Sequence, residues 1–302
     1  MPVPVVTEPR KARPIPPVIV IPGFRSWKLE MTKNMIAVLG ALAGFAAAAA
    51  VHAETVTVNG STTVLPAMQL TAEGFMKANP NITVTISGTG SGNGIKALRD
   101  GMTDVAMASR DMKDKEVKDF ADHNIKTVRY TVAHDAIIPV VNPNNAVKGL
   151  TMAQLKDIFA GKIRSWDEVG GAKAPIVVVG RDSSSGTFEC FQELVMGKTR
   201  VSPRALIQAS NGGVVQAIAQ NPNAIGYIGV GYMDKQTHPL TMNNVKPGIE
   251  SAKDKTWPIA RDLYLFTADN VKAEAKKLID FMLSAEGQKD VEKAGFVPVA
   301  AK

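Results

Sequence analysis

The sequence predicts an α/β fold with mainly parallel sheets flanked by helices. Short β-branched runs alternate with amphipathic segments from residue 54 to the end of the chain. The continuous apolar run 176–179 is typical of a strand buried on both faces. Several runs pass directly through a turn rich in Ser, Thr or Gly into a helical pattern, as strand–turn–helix units do.

In the first half, Pro66 suits the first turn of a helix, and Asn142 followed by Pro143 marks the end of a long extended stretch. The predicted strands are 55–58, 82–87, 104–108 and the extended stretch 128–141. The predicted helices are 65–77, 94–99 and 113–122.

In the second half, Thr151 can cap a helix over 151–159, and Gly161 lies just past its end. The remaining predicted strands are 176–179, 225–228 and 263–266. The remaining predicted helices are 187–196, 214–219, 273–283 and 285–294.

Residues 1–53 are expected to be an upstream extension followed by a secretory signal peptide. Lys33 precedes an apolar, Ala-rich run over 35–50, and a small-x-small pattern ends at Ala53, where cleavage is expected. Residues 1–30 are Pro-rich and basic, so we expect Met31 to be the true start, with a natural leader as the alternative. The protein is therefore expected in the periplasm.

Charge and cysteine content narrow the function further. The leader holds six Lys/Arg and two acidic residues, so its removal lowers the formal net charge from +7 to +3. No basic run interleaved with aromatic residues remains, which argues against nucleic-acid binding. The single cysteine, Cys190, excludes an internal disulfide and is expected to be a small buried residue rather than a nucleophile.

Three turns are candidate anion-binding segments: 60–63, 87–94 and 181–187. A helix start presents unpaired N–H groups and the positive end of the helix dipole. Arg181 is the one fixed positive charge among these turns. For each turn the sequence leaves a plainer alternative open: an ordinary N-cap for the first, a flexible connection for the second, and a surface arginine for the third.

Catalytic patterns are weak in this sequence. His123, His134 and His238 are scattered and lack metal-ligand spacing, so neither a metal nor a cofactor is expected. The Gly-x-Ser-x-Gly elbow and the P-loop are both absent. A nucleophilic Ser185 assisted by His134 remains as an alternative.

Segments spread over 54–302 together resemble the PstS family, the periplasmic phosphate-binding proteins of phosphate ABC importers. The resemblance depends on the order and spacing of several motifs rather than on any single one. They are GSTTVLP at 60–66, GSGNGIK at 90–96, TDVAMASR at 103–110, IFAGKIRSWD at 158–167, Arg181 with SGT at 185–187, NAIGYIG at 223–229 and WPIAR at 257–261.

The resemblance implies a type II periplasmic binding protein fold, with two domains joined by two hinge crossovers that close over the ligand. Domain I would comprise 54–133 with 258–302, and domain II 134–257, with crossings near 130–136 and 255–262. The implied anion ligands are Thr62, Thr63, Ser91, Arg181, Ser185, Gly186 and Thr187, with Ser109 in the third loop.

Two positions depart from the family pattern. Ser109 stands where well-known members have an Asp that accepts the proton of hydrogen phosphate, so discrimination against fully ionised sulfate is less secure. Ser183 also replaces an Asp near the arginine, and Asp182 could substitute for it. Arg110 could add positive charge at the rim or be solvated.

We therefore expect a monomeric solute-binding protein that captures inorganic phosphate and delivers it to an inner-membrane ABC permease without performing chemistry. A receptor for another tetrahedral oxyanion such as sulfate is one alternative. A secreted phosphoesterase or serine hydrolase is the other.

Overall fold

The computed structural model describes residues 54–254 and 256–300. The signal peptide and cleavage site expected within 1–53 lie outside the described residues. Within the described part, no helix is long and apolar enough to cross a membrane.

The described residues form an α/β fold, as predicted. The strands are β1 (Glu54–Gly60), β2 (Ile82–Gly88), β3 (Val105–Ala108), β4 (Thr127–Val141), β5 (Gly149–Leu150), β6 (Val177–Arg181), β7 (Leu206–Gln208), β8 (Ala224–Gly229), β9 (His238–Pro239), β10 (Thr241–Met242), β11 (Ala260–Ala268) and β12 (Val297–Pro298). The α-helices are α1 (Leu65–Ala78), α2 (Ser91–Arg99), α3 (Asp114–Asp122), α4 (Met152–Phe159), α5 (Gly186–Phe191), α6 (Asn211–Ala219), α7 (Ile249–Lys253), α8 (Ala273–Leu283) and α9 (Ala285–Lys293).

One sheet contains ten of these strands, in the order β2-β1-β3-β11-β4-β8-β6-β7, with β9 and β12 also pairing with β4. The outer pairs on both sides, β1 with β2 and β3, and β6 with β7 and β8, are parallel as predicted. The central pairs formed by β11 and β4 are antiparallel. β4 pairs with β11 over 127–136 and with β8 over 137–141, so a single strand belongs to both halves of the sheet.

Three helices differ clearly from their predicted bounds, and one of them, α6, begins at Asn211 rather than at 214. α2 begins at Ser91, three residues before the prediction, because Gly90 with φ 103° turns the chain into the helix. A Cβ on Gly94 would lie 2.5 Å from the Gly60 Cα, so glycine is required despite its low helix propensity. The helix predicted over 187–196 is α5 followed by a π-helical turn, Gln192–Met196.

An aromatic cluster fixes α5 against the sheet. The Phe191 and Tyr227 rings stack with centroids 4.0 Å apart, and Phe159 packs on both from α4. All three side chains are fully buried. Burial of each aromatic side chain contributes about 1.5–3 kcal/mol to the stability of the fold. This packing fixes the position of α5 and of the turn that precedes it.

Candidate functional site

The first turn follows β1 and is bound tightly to the neighbouring strand. The Ser61 N–H donates to the Met107 carbonyl oxygen at 2.8 Å, and the Ser61 hydroxyl accepts from the Thr63 N–H at 3.1 Å. Ser61 therefore orders the turn itself, whereas α1 has Val64 as its N-cap and no side-chain capping hydrogen bond, so the N-cap alternative for this turn is wrong. Thr62 and Thr63 remain with buried hydroxyls just before α1.

The second and third turns touch each other. The Gly92 N–H donates to the Ser184 carbonyl oxygen at 2.9 Å. A Cβ on Gly186 would lie 2.4 Å from the Ser91 hydroxyl oxygen and 2.8 Å from that of Ser109. The two serine hydroxyl oxygens lie 3.3 Å apart, and Ser91 also accepts from the Ser109 N–H at 3.1 Å.

The third turn is ordered by its own side chains. Ser185 caps α5 by accepting from the Phe188 N–H at 3.2 Å. The Asp182 carboxylate accepts from the Ser184 N–H at 2.8 Å and from the Ser184 hydroxyl. Asp182 thus stabilises the turn, and the hydrogen bonds that hold Arg181 come from elsewhere.

The first and third turns meet in a cluster of buried hydroxyl groups. The Thr63 and Thr187 hydroxyl oxygens lie 2.9 Å apart. The Asn211 side-chain amide, at the start of α6, donates to the hydroxyls of Thr62 and Thr63, both at 3.1 Å. We call Thr62, Thr63, Thr187 and Asn211 the hydroxyl cluster.

Arg181 reaches the hydroxyl cluster from the end of β6 and is only 2% exposed. Its Nε and Nη2 donate to the carbonyl oxygens of Gln208 and Ala209, both at 3.1 Å. Nη2 also donates to the Thr62 hydroxyl at 3.2 Å, while the buried Nη1 has no hydrogen-bond partner among the described residues.

No carboxylate of the described residues lies within ion-pair distance of Arg181. Burial lowers the pKa of its guanidinium because the charged form loses solvation. A buried arginine without a counter-charge is costly unless an anion supplies one. The alternative that Arg181 is a surface arginine is wrong, because its side chain is buried.

A second arginine, Arg261 on β11, approaches the same cluster. Its Nη2 lies 3.1 Å from the Thr187 hydroxyl oxygen and 3.3 Å from that of Thr63. Its Nε donates at 2.7 Å to the fully buried Asp135 carboxylate, which also accepts from the Val230 N–H at 2.9 Å. Burial raises the pKa of Asp135, whereas the Arg261 charge acts in the opposite direction.

Arg110 does not face the hydroxyl cluster. Its two Nη atoms donate to the two carboxylate oxygens of Glu116, both at 2.7 Å, and its Nε contacts the carboxylate of Glu189. Lys113 Nζ lies 2.9 Å from the other Glu189 oxygen. Because Glu116 belongs to α3 and Glu189 to α5, Arg110 links these two helices. A cleft of about 870 Å³ is lined by Arg110, Lys113 and Glu189, and also by Arg261.

The structure offers little support for catalysis. His134 pairs with Asp262, its Nδ1 at 2.6 Å from the carboxylate, and the Ser185 hydroxyl is engaged as a helix cap. Among residues 54–254 and 256–300 no group of three His, Cys, Asp or Glu side chains could hold a metal ion. Cys190 is partly buried, and its Sγ donates to the Ser109 carbonyl oxygen at 3.4 Å.

Sequence comparisons identify the family. Residues 46–286 match the family model described as a PBP superfamily domain. The phosphate-binding protein PstS of Borreliella burgdorferi is 32% identical over 258 residues, covering 81% of this chain and 90% of the relative. The chain belongs to the PstS family. The Pseudomonas aeruginosa PstS is 31% identical over 269 residues, covering 80% of this chain and 82% of the relative.

Solved PstS-like structures agree with this assignment. A substrate-binding protein from Clostridium perfringens, solved with bound phosphate, is 35% identical with a TM-score of 0.78, covering 82% of this chain and all of the other. An ABC-type phosphate transport receptor from Vibrio cholerae is 31% identical with a TM-score of 0.67, covering 81% and 100%. The α/β architecture of this chain is thus that of type II periplasmic binding proteins.

The structure brings the predicted site residues of the three turns into one region, with Ser91, Ser109, Ser185 and Gly186 on one side of the hydroxyl cluster. Sequence reasoning missed three members of the region: Arg261, Asp135 and Asn211. Arg261 is the last residue of the WPIAR motif, which supports the family resemblance but does not by itself indicate a role for the arginine. Asn211 follows Ser210, the cap of α6, and nothing in its local sequence distinguishes it from any helix start.

Proposed function

We propose that this PstS-family chain is an extracytoplasmic solute-binding protein that captures inorganic phosphate and delivers it to an ABC importer in the inner membrane. It acts as a monomer, in the periplasm, and binds the anion without transforming it. The proposed ligands are Thr62, Thr63, Ser91, Ser109, Arg181, Ser185, Gly186 and Thr187.

The buried, unpaired Arg181 carries this proposal. Its Nη1 hydrogens have no acceptor among the described residues, and its charge has no partner there. A tetrahedral oxyanion supplies both the acceptors and the charge. The dipoles of α1 and α2 add positive partial charge next to the turns that carry Thr62, Thr63 and Ser91.

The number of donors is sufficient for tight binding. Neutral hydrogen bonds contribute about 0.5–1.5 kcal/mol each and charged ones about 1.5–3 kcal/mol. Roughly eight to twelve such bonds, less the cost of ordering the site, correspond to micromolar or stronger affinity.

A sulfate receptor is the second candidate, and Ser109 is the observation that favours it. The hydroxyl of Ser109 contacts Ser91, and no carboxylate is present there to repel a fully ionised anion. Asp135, which reaches the hydroxyl cluster through Arg261, is engaged by Arg261 and the Val230 N–H.

Calorimetry on protein freed of bound anions separates these candidates. We expect heat on titration with phosphate and little with sulfate at the same concentration. Binding of sulfate with no response to phosphate would replace the phosphate proposal with the sulfate one. Turnover of a chromogenic phosphate ester that disappears in Ser185→Ala would instead indicate an enzyme.

The matched variants are Arg181→Ala and Arg204→Ala. Loss of the Arg181 guanidinium is expected to abolish measurable phosphate binding, while the exposed Arg204 tests for general loss of positive charge. Thr62→Val removes one acceptor with little change in shape and is expected to disturb the position of Arg181. Unchanged affinity in Arg181→Ala, with a normal thermal melt, would place the site elsewhere.

A further inference from the structure

Arg261 is held on one side by a fully buried carboxylate. Its Nη2 lies 2.7 Å from Oδ2 of Asp135, the same oxygen that accepts from Nε, and the Arg261 side chain is 4% exposed. Oδ1 of Asp135 is satisfied by the Val230 N–H at 2.9 Å. This arrangement fixes the plane of the guanidinium.

On its other side Arg261 faces the hydroxyl cluster. Nη2 lies within hydrogen-bond distance of the hydroxyls of Thr63 and Thr187, which themselves are proposed ligands. Nη1 is buried without an oxygen or nitrogen acceptor among the described residues, and the Cys190 thiol is the group beside the guanidinium. Sulfur is a weak acceptor, so these N–H groups can accommodate a stronger one, such as an anion oxygen.

The charges around the cluster do not balance. Arg181 and Arg261 each contribute one positive charge, and Asp135 supplies one negative charge close to Arg261 alone. Burial lowers the pKa of Arg181, and the nearby Arg261 charge acts in the same direction. The three side chains leave one net positive charge, which an anion neutralises. The unmatched Nη1 donors of both arginines favour the anion with more unprotonated oxygens, which is hydrogen phosphate rather than dihydrogen phosphate.

We propose that Arg261 is a second charged ligand of the bound anion, that Asp135 is the positioning residue that holds it, and that together they select a doubly charged tetrahedral oxyanion. This inference rests on the proposed function and deepens it. The doubly charged hydrogen phosphate ion is the preferred species over singly charged dihydrogen phosphate.

The first test compares Arg261→Gln with Arg129→Gln by calorimetry. Arg129 pairs with Asp111 at an exposed position and is the matched arginine control. We expect the phosphate Kd to rise roughly ten- to a hundredfold in Arg261→Gln and to stay unchanged in Arg129→Gln. Arg261→Lys keeps the charge but loses the planar fork, so an intermediate loss is expected.

Arg261→Gln leaves the buried Asp135 unpaired and can fail to fold. The double variant Asp135→Asn with Arg261→Gln removes both charges and keeps an oxygen that can accept from the Val230 N–H, so it is expected to fold and its affinity reports on the ligand role. If only Arg261→Lys remains folded, its Kd relative to that of the wild type decides the question.

The pH dependence separates a ligand role from a structural one. Between about pH 5 and 8 inorganic phosphate loses its second proton, so the wild-type affinity is expected to rise with pH. The rise should be shallower in the double variant. Burial raises the pKa values of Cys190, Tyr227 and Tyr232, the thiol and phenols near the guanidinium groups, so none of them ionises in this range. The carboxyls that face the two arginines are Asp182 and Asp135, and burial raises the pKa of Asp135.

The outcomes distinguish this inference from the proposed function. If the wild type binds phosphate and Arg181→Ala does not, while the double variant keeps both wild-type affinity and pH slope, Arg261 is not a ligand and the proposed function stands. If the wild type binds neither phosphate nor sulfate, both proposals fail.

Discussion

At the scale of single residues, Gly186 determines how closely the second and third turns approach. Its hydrogen faces the hydroxyls of Ser91 and Ser109, both almost fully buried, where no other side chain would fit. The position has no positive φ, so its glycine is required by space rather than by backbone conformation. The same N-terminal turn of α5 contributes three of the proposed ligands.

We predict that Gly186→Ala weakens phosphate binding by at least tenfold. The new methyl group would have to displace two buried serines or keep the turns apart, and overpacking of this kind costs about 1–3 kcal/mol. Gly212→Ala is the matched control, since its Cβ would meet nothing closer than the Ser210 hydroxyl oxygen at 3.9 Å. Calorimetry on both variants decides, and equal affinity in the two would contradict the close packing.

A site residue can be predicted from the sequence when it lies in a turn directly after a recognisable strand. Thr62, Ser91 and Arg181 each follow a strand end recognisable from the sequence, and the structure brings their turns together. Arg261 lies 74 residues from Thr187, at the start of β11, so only strand pairing places it beside the cluster. No local pattern marks such a side chain.

At the scale of secondary-structure elements, a group of four charged side chains connects α3 with α5. Arg110 is shared between Glu116 and Glu189, and Lys113 contacts Glu189 from the start of α3. Burial opposes ionisation of Glu116, but hydrogen bonds from Arg110 and the Lys113 N–H outweigh it and lower the pKa below its ordinary value of 4.5. The ion pairs therefore favour contact between these helices beside the anion site.

We predict that this group makes the protein sensitive to acid. Because the folded pKa of Glu116 is lowered, its contribution is complete above the unfolded value near 4.5 and is lost as pH falls below it. Between pH 5 and 3 the wild-type Tm should fall about 2–4 °C more than that of Glu116→Gln. Thermal melts test this, with the exposed Glu292→Gln as control. Parallel curves for wild type and Glu116→Gln would contradict it.

Elements with strong periodicity were predicted well, and short ones were not. The long strands and helices follow from alternating β-branched residues and from capping residues such as Thr151, which accepts from the Gln154 N–H at 3.2 Å. β7 has three residues and α7 has five, too few for a periodic pattern. The antiparallel centre of the sheet depends on which strands neighbour each other, which the sequence does not specify.

At the scale of the whole molecule, the division into domain I (54–133 with 258–302) and domain II (134–257) remains a proposal. Its support is the path of β4, which changes partner from β11 to β8 between Ala136 and Ile137. The Ile137 N–H donates to the Ile259 carbonyl oxygen at 2.9 Å, so both proposed crossings are joined at this point. Thr62 and Arg181, which contact each other, would come from different domains.

The last prediction follows from that division. Without an anion, Arg181 and Arg261 repel each other, and the donors of the two domains lose the anion oxygens that they share. Both effects favour separation of the domains, with bending at the two crossings. A compact protein of the 249 residues 54–302 is expected to have a radius of gyration of about 18 Å. Small-angle X-ray scattering should give a value near this one when phosphate is present and a larger value when it is absent. Gly186→Ala should stay expanded in phosphate, and Gly212→Ala should contract. An identical radius for the wild type with and without phosphate would mean that the domains do not move, and phosphate would have to enter a closed site through the cleft beside Arg261.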